Sequence, residues 1–61
     1  MMPLVFKRKD GPEMHINPWH VGAWWALPSG GTVIQVHSNL YELEAPFDLV
    51  NREIREADQP E

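Results

Sequence analysis

Cysteine is missing from all 61 residues, which removes disulfides and thiolate metal sites from the devices that hold short chains together. Long apolar runs are missing as well. No stretch approaches the ~18 residues of a membrane span, and the opening Met1-Met2-Pro3-Leu4-Val5-Phe6 is too short for a signal peptide's apolar segment. The expectation is a cytoplasmic protein that makes no membrane contact, in the host's cytoplasm if a phage encodes it. Positive charge is scarce: five Lys and Arg stand against nine Asp and Glu, for a net charge of -4 and a pI near 5.2. That balance argues against a general grip on nucleic acid, which needs a basic face to displace counterions.

Catalytic constellations are also lacking. Ser29, Ser38 and Asp48 are present, but no nucleophile elbow accompanies them and nothing orients a triad. Pro28-Ser29-Gly30-Gly31 has neither the following helix nor the lysine of a phosphate-binding loop, so it reads as a turn. His15 and His20 would need His37 or Glu13 as a third metal ligand, and their spacing matches no strong zinc signature. No enzyme, metal or cofactor is expected. The basic residues fall into two groups, Lys7-Arg8-Lys9 and Arg52 with Arg55; the first reads as a solvated hairpin end rather than a phosphate site.

A chain this short buries only about 60% of the surface its unfolded form exposes, so one copy alone is marginal. Without disulfides or a metal, a partner subunit is the remedy that remains. An apolar content of 43% with three tryptophans supplies the material for it.

What is present is concentrated in His15-Ile16-Asn17-Pro18-Trp19-His20-Val21-Gly22-Ala23-Trp24-Trp25-Ala26-Leu27, which holds all three tryptophans and two of the three histidines. The residue before a proline is pushed out of helical conformation, so Asn17-Pro18 bends the chain. The stretch reads as a short strand into Ile16, a kink, and a second extended run from Val21 to Leu27 with a bulge near Gly22.

Ahead of it, Leu4-Val5-Phe6 and Met14-His15-Ile16 flank Asp10-Gly11, a hairpin signal because both turn residues accept positive φ. After it, Thr32-Val33-Ile34-Gln35-Val36-His37 is a β-branched strand. Ser38-Asn39 is a candidate turn, and Leu40-Tyr41-Glu42-Leu43-Glu44 a strand with Tyr41 and Leu43 inward. Ala45-Pro46 opens a helix with proline at its first position. Phe47, Val50 and Ile54 give that helix one apolar stripe, bordered by Leu49. The expected fold is α+β: a four-stranded antiparallel β-meander with one C-terminal helix packed on it. Residues 1–57 form the single domain and residues 58–61 a frayed acidic tail.

That order of signals resembles the small FlbD/SwrD-like proteins, bacterial flagellar or swarming-motility proteins also common as short phage proteins. The resemblance rests on Ile16-Asn17-Pro18, Val21, Gly31-Thr32-Val33-Ile34-Gln35-Val36, Leu43-Glu44, and Val50 with Ile54, and runs from about Leu4 to Ile54. It implies the fold just described and a motility accessory role, and it carries no catalytic residues. Three departures stand out. Ser38-Asn39 occupies a hairpin where the family commonly has glycine. Ala45 stands where a serine usually caps the helix, a difference of about 1 kcal/mol. Three tryptophans surround the Asn-Pro step.

Those tryptophans are the functional signal. Trp24 and Trp25 point to opposite faces of a regular strand, and Trp19 lies beside the kink, so at least one ring stays exposed on a lone copy. Exposed indole beside other apolar side chains marks an interface or a ligand site. The expected function is a non-enzymatic, homo-oligomeric binding module of bacterial or phage origin that occupies a partner protein or sequesters a small ligand. A phage version would serve in counter-defence, as an inhibitor of a host protein or a sponge for a nucleotide signal. The expected site is a pocket between subunits floored by Trp19, Trp24 and Trp25 and rimmed by His15, His20, Arg8 or Arg52, suited to a planar anionic, nucleotide-like molecule. The alternative is the motility accessory protein.

Overall fold

The computed structural model describes residues 3–57. Strands β1 (Leu4–Lys7) and β2 (Glu13–Ile16) form the expected antiparallel hairpin, with Leu4 opposite Ile16 and Phe6 opposite Met14. Alternation sends Leu4, Phe6 and Ile16 into the core and leaves Val5 opposite His15 on the outer face.

The Asn-Pro step becomes a single 3-10 turn, Pro18–His20. Proline's fixed φ suits the first position of such a turn. Asn17 caps it, its Oδ1 accepting from the Trp19 N–H at 3.0 Å, while the His20 N–H donates to the Asn17 carbonyl at 2.9 Å. Pro18 is buried and Trp19 points into solvent.

The chain leaves this turn into β3 (Val21–Ala26), which pairs with β4 (Thr32–Val36), and β4 pairs with β5 (Asn39–Leu43). The register shifts between Val21 and Ala23, placing the expected bulge at Gly22. Between β3 and β4 the chain turns through Gly30 and Gly31, at φ 93° and 103°. A Cβ on Gly31 would lie 2.6 Å from the Leu43 carbonyl oxygen, so both the backbone angle and the close approach call for glycine there.

Two expectations are corrected here. The strands do not make one four-stranded meander. Among the described residues there are five, in a two-stranded sheet (β1-β2) and a three-stranded sheet (β3-β4-β5). The 3-10 turn separates what reads in sequence as one bent ribbon, so β2 and β3 belong to different sheets. The sheets meet where Arg8 pairs with Leu43, through Lys9 N–H to the Glu42 carbonyl at 2.9 Å and Glu44 N–H to the Lys7 carbonyl at 3.0 Å. The last hairpin also turns one residue earlier than expected. Val36 pairs with Asn39, so His37 and Ser38 are the loop and His37 takes positive φ, at 56°. A two-residue loop between twisted strands needs that conformation at its first position.

Helix α1 (Phe47–Ala57) begins one residue later than expected. The Pro46 carbonyl accepts from the N–H groups of Leu49 and Val50, both at 3.1 Å, which makes Pro46 the cap residue rather than the first helical one. The fully buried Thr32 fixes this approach by donating its hydroxyl to the Ala45 carbonyl at 2.9 Å. Val50 and Ile54 of the apolar stripe are buried, and Phe47 is only half-buried. The core joins Leu4, Phe6 and Ile16 of one sheet to Ile34 and Leu43 of the other, with Val50 and Ile54 from the helix. The expected acidic tail lies outside the described residues.

Candidate functional site

The three tryptophans have three different settings. Trp24 shares the inner face of its sheet with Ile34, its cross-strand neighbour, and with Tyr41 beyond it on β5, and packs against the core half-buried. Its Nε1–H donates to Asn51 Oδ1 on α1 at 3.2 Å. Trp25 faces the other way and is 44% exposed, and Trp19 on the 3-10 turn is 67% exposed. The alternation expected for adjacent residues is therefore observed, and Trp24 is the inward one.

The outer face of the three-stranded sheet follows from the register. One row is Trp25, Val33 and Glu42; the next is Ala23, Gln35 and Leu40. Val33 is only 6% exposed, whereas Leu40 is 60% exposed. Across β3 and β4 the face carries no Lys, Arg, Asp or Glu, because residues 14–41 contain none. All fourteen formally charged residues lie in segments 7–13 and 42–61. Strand β3 is also an edge strand of its sheet. Natural edge strands are usually guarded by charge, proline or bulges; here the Gly22 bulge guards one end and Ala23 to Ala26 have nothing comparable.

The histidines separate. His15 sits beside Glu13, Nε2 to Oε1 3.4 Å, with both side chains exposed. His20 instead meets His37, ring centroids 4.4 Å apart and planes tilted by 40°. Among the described residues no group of three or more His, Cys, Asp or Glu is placed to hold a metal ion.

Of the basic residues near the start, Lys7 and Lys9 are exposed and Arg8 is half-buried. Lys7 pairs with Glu44 at 3.7 Å on the surface, and Lys9 reaches the Ser29 hydroxyl at 3.4 Å. Arg8 packs its guanidinium against Gly11, where a Cβ would stand 2.6 Å from Nη2. Its Nε is buried without a hydrogen-bond partner. Arg8 lines a cleft of about 390 Å³ with Asp10, Leu40, Tyr41 and Glu42, in the gap where the β1–β2 hairpin parts from β5. Arg52 is exposed on α1.

The expected constellation is thus dispersed on one copy. Trp24 is turned to the helix, Arg8 lines the cleft beside β5, and His15 stands on the two-stranded sheet. Sequence reasoning missed Leu40, which reads as one more apolar residue of a strand until the register puts it on the outer face. It also missed Asn51, which lies off the Phe47, Val50 and Ile54 stripe. Compared with family models, curated proteins and solved structures, the chain matches none.

Proposed function

We propose that this chain is a non-enzymatic binding module that works as a homo-oligomer, joined through the outer face of β3-β4-β5 and the free edge of β3. The observation that carries this reading is the exposure of Trp25 and Leu40 around the nearly covered Val33, on a surface whose strands β3 and β4 bear no formal charge. Copies of net charge -4 repel one another, and β3 and β4 add no formal charge to that repulsion. Apolar burial contributes about 25 cal/mol per Å², and an indole with a leucine is a typical anchor pair for it. The same face, left open in part of the population, would be the one offered to a foreign protein such as a host target.

Light scattering on the purified chain tests the reading. A mass above one chain that falls in Trp25→Lys and Leu40→Lys supports it. A single-chain mass at millimolar concentration would end it.

Sequestering of a small ligand is the other half of this reading. The Arg8 cleft supports it better than the tryptophans do, since it combines a half-open volume with a guanidinium free of ion pairs among the described residues. The second reading, a motility accessory protein of the FlbD/SwrD type, is favoured by the order of Ile16-Asn17-Pro18, Gly31-Thr32-Val33-Ile34-Gln35-Val36 and Val50 with Ile54 along the chain. Co-precipitation with flagellar basal-body components from a motile host would support it; co-expression with phage genes and no such capture would count against it.

A further inference from the structure

His20 and His37 lie at the end of the sheet opposite Trp25, where β3 begins and β4 ends, and neither the core nor the proposed joining face uses them. The His37 N–H donates to the His20 carbonyl at 3.2 Å, one backbone bond just beyond the last strand pair, Val21 with Val36, which holds the two residues opposite each other. Both are exposed, and their ring centroids are 4.4 Å apart. His37 holds a left-handed backbone, φ 56°, at a turn position where Asn or Gly is the usual occupant. Histidine tolerates that region better than most side chains, and here its ring is delivered onto a second imidazole.

We propose that His20 and His37 form a two-point chelate for a late first-row divalent ion, Cu²⁺, Ni²⁺ or Zn²⁺. Two imidazole nitrogens bound cis to one ion, each about 2.0–2.1 Å from it, place the ring centroids about 4.5–5 Å apart. The observed centroid separation of 4.4 Å lies just below that range. Imidazole donors select these ions over Mg²⁺ and Ca²⁺, which take oxygen ligands. No carboxylate lies in residues 14–41, and neither ring has an ion-pair partner among the described residues, so both nitrogen pairs are free for an ion. Two protein ligands leave the other coordination positions to water or to an incoming donor, the open arrangement of a site that exchanges ligands rather than a closed structural one. His15 is outside this pair, being set beside Glu13 on the other sheet.

The test is a titration of the full chain with copper sulfate, read by tryptophan fluorescence and by electron paramagnetic resonance. Trp19 precedes His20 directly, so bound Cu²⁺ is expected to quench its emission. The expected result is one Cu²⁺ per chain with a nitrogen hyperfine pattern from two imidazoles. His20→Gln and His37→Asn should each weaken binding roughly tenfold or more, at least 1.4 kcal/mol, and His15→Gln should not. Asn at position 37 keeps the left-handed turn accessible, and circular dichroism of each variant checks that the fold is intact. Unchanged affinity in both folded variants, an equal loss in His15→Gln, or no quenching at equimolar copper would each overturn the proposal.

Discussion

Trp24 and Asn51 are joined by a hydrogen bond of 3.2 Å from the indole Nε1–H to the side-chain oxygen. This contact ties the outer strand of the three-stranded sheet to the middle of α1. It also decides which of two adjacent tryptophans belongs to the fold. An inward indole needs a partner for its N–H, and the helix supplies one from a residue that sequence periodicity assigns to the wet side.

Asn51→Leu removes that acceptor and leaves a half-buried N–H unpaired. The expected cost is about 1–2 kcal/mol, seen as a lower midpoint in urea unfolding and a change in the Trp24 emission. Trp24→Ala should cost more, about 3 kcal/mol or above, enough to leave a chain of this size largely unfolded. Any loss of assembly in Trp24→Ala therefore reports on folding, and Trp25 and Leu40 are the positions that report on association.

Gly30 and Gly31 separate two effects of one substitution. Both have positive φ, so alanine at either strains the backbone by about 1 kcal/mol. A Cβ at Gly30 meets nothing within 4 Å, whereas at Gly31 it would stand 2.6 Å from the Leu43 carbonyl. Gly31→Ala should lower the thermal midpoint clearly more than Gly30→Ala. Equal shifts would mean that the approach of Gly31 to β5 is looser than described.

Thr32 is fully buried and its hydroxyl donates to the Ala45 carbonyl at 2.9 Å, in front of a helix whose cap residue, Pro46, has no side-chain acceptor to offer. Thr32→Val keeps the shape and removes the bond. The expected loss is about 1–2 kcal/mol, with faster amide exchange in the first turn of α1. Thr32→Ser, which retains the hydroxyl, should keep slow exchange there.

What could be read from sequence was local. Asp10-Gly11 between Leu4-Val5-Phe6 and Met14-His15-Ile16 gave the first hairpin, Gly22 marked the bulge, and the Val50–Ile54 spacing gave the buried stripe of α1. The division into two sheets was not readable, because it depends on Arg8 meeting Leu43 across most of the chain and on Asn17-Pro18 making a helical turn instead of a bend. The last turn was misplaced by one residue, since only the pairing of Val36 with Asn39 shows that His37 takes the left-handed place offered to Asn39. Alternation separated Trp24 from Trp25 but left open which faced inward; that required knowing that Trp24 pairs with the buried Ile34. The scattering of Trp, His and Arg over several surfaces was invisible for the same reason.

The most direct test of self-association is sedimentation of the wild-type chain and of Trp25→Lys with Leu40→Lys over a concentration series, with folding checked by circular dichroism. The expected result is a wild-type mass of two or more chains, and a folded double variant at the mass of one. A wild type that sediments as a single chain throughout, or a folded double variant with wild-type mass, would contradict the claim that this face of β3-β4-β5 joins the copies.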